Sequence, residues 1–273
     1  MNQKKKYDKR ALILFFVIMI GLSAVWETLI IVMGAMGLTV FLMWVPAFAA
    51  LVATFVYVKD GSGVQRIKEV IHANGIRNCK SGYIVAGVVI PFIYISIPYF
   101  IYWVLNPGSC KIENLIKIIL MTILGVFGSM ITALGEEIGW RGFMVPALYE
   151  RIGLKKTLLV SSVIWGVWHL PILVSGLYMG GTPIWYQVPA FLLTILPVGV
   201  IAGILAIHTR SVWPAAFLHA AHNNYDQLIF KAHTEGENMM FFVSETGIFT
   251  IIVAWILAAI VYCYFKKNMQ IEK

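Results

Sequence analysis

Charge is what this chain has least of. Asp, Glu, Lys and Arg make up 12% of its 273 residues, against about 25% in a soluble domain. Hydrophobic residues make up 60% and the mean hydropathy is +0.82. That scarcity excludes a soluble globular enzyme. The three cysteines, Cys79, Cys110 and Cys263, show no paired spacing, so neither a disulfide framework nor a cysteine metal site is read from them. Internal repeats, low-complexity tracts and a soluble domain are also missing. The first apolar run lacks a small-residue cleavage pattern and is too long for a signal peptide. Chemistry is bounded by absences too. No Gly-x-Ser-x-Gly elbow occurs and no cysteine sits near a histidine motif, which disfavours a covalent serine or cysteine mechanism. A local His-Glu-x-x-His zinc motif is likewise absent.

What remains is apolar runs of bilayer length. Eight spans are expected, near 11–33, 38–58, 83–105, 114–135, 157–175, 187–208, 212–230 and 247–265, making residues 1–273 a single all-α transmembrane domain. With eight spans, 18 of the 21 basic residues fall on one side. Lys111, Lys117 and Lys231 fall on the other, beside Glu113, Glu235, Glu237 and Glu245. The positive-inside rule then puts both termini in the cytoplasm. The net charge of +8 is accounted for by topology and anionic lipid, with no nucleic-acid partner required. The style of the sequence suits a bacterial plasma membrane. Between spans two and three, residues 63–75 form an amphipathic stretch expected to lie on the cytoplasmic face. Asn106-Pro107-Gly108-Ser109 reads as a turn on the outer side.

Polar residues inside such runs are costly, and so are informative. Span four ends in Glu136-Glu137-Ile138-Gly139-Trp140-Arg141. On a helix Glu137 and Arg141 are stacked i,i+4 and can pair, while Glu136 lies about 100° round the axis and faces something else. Gly139 and Gly142 allow close packing there. Gly153, Lys155 and Lys156 mark the break before span five. Span five carries His169, followed by Pro171, which opens the local helix geometry. Span seven carries His219, His222, Asn223, Asn224 and Asp226, too many polar groups for lipid. His219 and Asn223 share a face. Glu27 in span one is expected to make an interhelical hydrogen bond.

Glu136, His169, His219 and Asn223 together form an inventory for amide hydrolysis without a covalent nucleophile. A partly desolvated carboxylate serves as base toward water. A histidine opposite orients that water or protonates the leaving amine, and a second histidine with an asparagine amide supplies donors to an oxyanion. Zinc is the one cofactor this inventory admits, and its ligands, if it is present, are Glu136, His169 and His219. Direct activation of water by glutamate stands slightly ahead of it.

These motifs resemble those of the type II CAAX prenyl endopeptidase and bacteriocin-immunity family of intramembrane proteases, called CPBP or Abi. Its Glu-Glu-x-x-x-Arg motif is matched by Glu136 to Arg141, its Phe-x-x-x-His by Trp165 to His169, and its His-x-x-x-Asn by His219 to Asn223. The matched core runs over 114–230. The resemblance implies eight helices around a polar catalytic cavity open to the cytoplasm. It gives Glu136 the water-activating role, with His169 as its partner, His219 and Asn223 at the oxyanion, and Glu137 and Arg141 in support. Trp165 stands where the family has Phe, a change expected to bear on pocket shape more than on chemistry. The substrate implied is a peptide or membrane-anchored protein; a prenylated tail does not carry over safely. Two other classes compete. One is a non-enzymatic immunity or regulatory protein that binds a bacteriocin or a membrane partner. The other is a proton-coupled transporter, against which the lack of an inverted repeat counts.

Overall fold

The computed structural model describes residues 8–57 and 63–271, with backbone alone at 268–271. Lys4, Lys5, Lys6, Lys59 and Lys273, which entered the charge asymmetry, lie outside the described residues. The described chain is helical: α1 (Lys9–Met33), α2 (Thr39–Tyr57), α3 (Val64–Ala73), α4 (Ser81–Leu105), α5 (Leu115–Glu137), α6 (Val145–Trp168), α7 (Leu170–Val174), α8 (Ile184–Thr209), α9 (Trp213–Asn223) and α10 (Ile248–Ile271). Wider π-type turns over Ile138–Met144 and Asn224–Phe230 extend α5 and α9. The extended pairing among the described residues is a bridge between Cys110 and Thr234, which ties the α4–α5 loop to the segment after the second π turn.

Among the described residues, six helical stretches are long and apolar enough to cross a membrane. Two differences separate them from the eight expected spans. The fourth stretch, Leu115–Trp168, is 54 residues long, or about 81 Å at the rise of an α-helix, far beyond a hydrocarbon core of about 30 Å. It is broken at Gly153, whose φ of 72° and ψ of 174° leave the helical region, at the break the sequence pointed to. The α9 stretch is excluded by its own polar residues rather than by a lack of helix. The chain is a multi-pass membrane protein: Val32, Ile116 and Leu124 present large apolar side chains outward on α1 and α5. By contrast, 72% of the most apolar window of α8 is buried, with α6, α9 and α10 packed against it.

Small residues set the close approaches. A Cβ on Gly139 would collide with the backbone of Pro46 in α2, and one on Gly142 with the carbonyl of Asn74. Gly125 admits the Asn224 side chain, which donates to the Thr122 carbonyl at 3.0 Å and joins α5 to the α9 extension. The α4–α5 turn closes as expected, Ser109 N–H donating to Asn106 O at 3.1 Å. Glu27 is half-buried and makes no hydrogen bond among the described residues. The polar bridge from α1 is made instead by Ser23, whose Oγ accepts from Trp168 Nε1 at 2.8 Å. Ser23 lies one turn deeper than Glu27 and faces α6.

Candidate active site

Glu136 and Glu137 are adjacent, and the last turn of α5 sends them to different partners. Both are buried, with 1% and 0% exposure. Glu137 Oε1 accepts from Arg141 Nη1 at 2.9 Å and from His219 Nδ1 at 2.9 Å. The i,i+4 pair legible in the sequence therefore exists and also holds the α9 histidine. Arg141 is itself buried, its guanidinium carbon 4.0 Å from the centre of the Trp165 ring. An ion pair out of water needs such further contacts, because desolvation offsets much of the Coulomb attraction.

Glu136 turns the other way. Its Oε2 accepts from Trp165 Nε1 at 2.8 Å. That bond corrects the expectation for Trp165. A phenylalanine ring has no N–H, so the residue here changes the chemistry at Glu136 as well as the shape beside it. Its indole also lies edge-on to His169 and His219, with ring centres 5.6 and 5.4 Å away.

His169 sits where α6 ends, its N–H bonded to Gly166 O at 3.2 Å as the helix tightens ahead of Pro171. Its Nδ1 is 2.7 Å from Trp165 O. Glu136, Trp165, His169, His219 and Asn223 line one cavity of about 230 Å³. Met43, Ile172 and Phe191 supply apolar wall.

The cavity has a second polar wall that the motifs do not contain. Glu245, read from sequence as an outer-loop acid, is 2% exposed and lines this cavity. Its Oε2 accepts from the Tyr178 hydroxyl at 2.8 Å and its Oε1 from Gln227 Nε2 at 3.2 Å. His222 Nε2 lies 3.4 Å from Glu245 Oε1, and His222 Nδ1 is 2.8 Å from the Tyr94 hydroxyl. Behind them Asp226 accepts from Ser244 Oγ at 2.6 Å and from the Tyr99 hydroxyl at 3.3 Å. The polar crowding of span seven was a signal for His222 and Asp226. None existed for Glu245, Tyr178 or Gln227, whose contacts form only in the fold.

The conditional zinc set does not assemble. Among the described residues no group of three or more His, Cys, Asp or Glu is placed to hold a metal ion. Nδ1 of His169 and of His219 is engaged by Trp165 O and Glu137, and Trp165 N–H occupies one oxygen of Glu136, which leaves the Nε2 atom of each ring and the other Glu136 oxygen toward the cavity.

Residues 117–225 match the family model of the type II CAAX prenyl endopeptidase Rce1-like proteins. That segment is similar to Rce1-like proteins. All three motifs fall inside the matched residues. The chain is also 31% identical over 153 residues to the CAAX prenyl protease 2 of Methanococcus maripaludis. That match takes in 54% of this chain and 52% of the relative, so the chain spans about half the length of the curated relative it matches. The matched segment ends at residue 225, so Gln227 and Glu245 lie beyond it while lining the same cavity.

Proposed function

We propose that the chain is an intramembrane endopeptidase that hydrolyses a peptide bond with a water activated by Glu136. The observation that carries this reading is the convergence of Glu136, His169, His219 and Asn223, from three separate segments, on one cavity. Trp165 N–H occupies Oε2 of Glu136, which assigns Oε1 to the water. Glu136 takes a proton as the water oxygen attacks the carbonyl carbon. The oxyanion faces His219 and the Asn223 amide. Collapse breaks the C–N bond, and the proton returns to the amine nitrogen from Glu136 or by way of His169. Positioned acid–base groups of this kind contribute about 10²–10⁴-fold, and a single oxyanion donor about 10²–10³-fold.

The His219–Glu137 bond constrains that role. With Nδ1 donating to Glu137, a neutral ring offers the cavity a lone pair at Nε2, and only the protonated ring offers an N–H there. Glu137 is the counter-charge for that protonated ring, and Arg141 fixes Glu137. Both are supporting residues.

The membrane reading that goes with this function has eight crossings: the long stretch divided at Gly153, with α9 and its extension as a polar seventh. With both termini cytoplasmic in a bacterial plasma membrane, the cavity-lining Met36, Tyr178 and Glu245 come from connections on the outer side, which argues against the expected opening of the cavity to the cytoplasm. The substrate is a peptide or membrane-anchored protein tail; prenylation is one version of it, supported by the name of the archaeal relative.

The test is cleavage of quenched fluorescent peptides, farnesylated C-terminal ones included, by purified protein in detergent. Glu136→Gln and His219→Ala should each abolish turnover, and a chelator such as phenanthroline should leave the wild type unchanged. Full activity of both variants in a cellular assay would overturn the reading in favour of a non-enzymatic binding partner.

A further inference from the structure

The proposed reaction does not use the Glu245 wall. Glu136 and Glu245 both line the cavity, and among its described lining residues none is Lys or Arg. The nearest buried cation, Arg141, is bound to Glu137. Glu245 accepts from two neutral donors, the Tyr178 hydroxyl and the Gln227 amide, and its one candidate counter-charge among the cavity-lining residues is His222 at 3.4 Å, when that ring is protonated. A buried carboxylate with no full counter-charge is costly.

A second observation points the same way. His222 is 3% exposed, and its Nε2 has no hydrogen-bond partner among the described residues. The Tyr94 hydroxyl holds Nδ1. Tyr94 can donate to Nδ1 or accept from it; in the second tautomer Nε2 is a bare acceptor beside Glu245 Oε1, and it is this tautomer that a cationic ligand would select. Two acceptors then converge on one spot. The group that satisfies both is a cation with several N–H donors, an ammonium with three or a guanidinium with five. An anionic group, such as a free peptide C-terminus, would meet the Glu245 charge there.

We propose that Glu245, with His222 and Gln227, forms a subsite for the basic side chain of a substrate, a lysine or arginine a short distance along the chain from the bond presented to Glu136. The aliphatic stem of that side chain lies along Ile172 and Phe191, as apolar walls commonly take such stems. This assignment rests on the peptidase reading for the position of the scissile bond. The subsite itself is a matter of binding.

A lysine scan tests it. Acetylated and amidated peptides carry one lysine at successive positions, each matched by a norleucine control of the same length. In wild type, lysine at one position should raise kcat/KM at least tenfold over norleucine. In Glu245→Gln that preference should vanish while the norleucine peptides are still cut. Absence of any lysine preference in wild type, or its survival in Glu245→Gln, overturns the proposal. Binding of the same peptides is followed in parallel through the fluorescence of Trp165 and Trp168, which line the cavity. If wild type cuts nothing but binds lysine peptides at least tenfold more tightly than norleucine ones, with the difference lost in Glu245→Gln, the peptidase reading fails and the subsite stands. Equal binding overturns the subsite. Should Glu245→Gln fail to fold, Glu245→Asp takes its place: a weakened lysine preference supports the subsite, and an unchanged one overturns it.

Discussion

Glu137 and Glu245 are both buried carboxylates at the margin of the same site, and they are held in opposite ways. Glu137 is neutralised by a guanidinium and an imidazole that share its Oε1, each at 2.9 Å. Glu245 is held by a phenol and an amide, with an imidazole at 3.4 Å. The first arrangement has a full counter-charge, supplied by its own helix one turn on, while Glu137 Oε2 has no hydrogen-bond partner among the described residues. The second leaves charge facing a cavity. A carboxylate of the first kind fixes geometry, and one of the second kind waits for a ligand. Glu136 stands between them, bonded on one oxygen by Trp165 and turned to the cavity.

The largest expected effect separates Glu136 from both. Glu136→Gln should lower peptide cleavage by about 10²–10⁴-fold, the range for loss of a positioned base, with the thermal midpoint in detergent close to wild type. Glu245→Gln should leave cleavage of an uncharged peptide within a few-fold. If the two substitutions cost the same on an uncharged peptide, the division of labour between the carboxylates is wrong.

Stability should invert that order. Arg141→Met leaves Glu137 buried with only His219 as a partner, and breaking a buried pair costs about 3–5 kcal/mol. Glu245→Gln removes a charge that has no full partner, and should be neutral or mildly stabilising. Denaturant or thermal unfolding in one detergent measures both. An Arg141 variant as stable as wild type would mean that the pair is not the charge-paired unit its geometry describes.

The same contrast explains what was legible in the sequence. The Glu137–Arg141 pair could be read because helical periodicity fixes which side chains are one turn apart, and the structure places the two together. Gly139, Gly142 and the break at Gly153 could be read because glycine marks close approach or non-helical backbone. Local rules also correctly separated the directions of Glu136 and Glu137. They could not reach Glu245. Its neighbours Ser244 and Thr246 look like an ordinary polar connection, and its partners come from residue 178, before α8, and from residues 222 and 227. Nor could they say that Glu137, rather than Glu136, meets His219, because that depends on how α5 crosses α9 at Gly125 and Asn224. Glu27 misled for a related reason. Depth in an apolar run does not say which side of the helix faces a neighbour, and Ser23 made the contact instead. Six stretches of the described residues are apolar enough to cross a membrane, and the α9 stretch, which the sequence reading counted as its seventh span, is not among them because the polar residues that give it its site lower its apolarity.

The smallest expected effect concerns the residue whose role sequence underestimated. Trp165→Phe keeps an aromatic ring beneath Arg141 and beside His169 and His219, but removes the N–H on Glu136 Oε2. A hydrogen bond to a charged group is worth about 1.5–3 kcal/mol, and about 1.4 kcal/mol corresponds to tenfold in rate. Not all of that bond acts in the transition state, since Glu136 gives up negative charge as it takes the proton and the bond weakens with it. Two effects therefore oppose each other. Losing the donor makes the carboxylate a stronger base, and frees it to swing away from the water. Orientation should dominate in a cavity of about 230 Å³, where alternative rotamers point the oxygens at apolar wall. The expected result is a fall of about tenfold in kcat with little change in KM, because no substrate contact is lost. An increase in kcat would show that basicity outweighs positioning and that the indole restrains Glu136. An unchanged kcat would return Trp165 to the role of pocket shape alone.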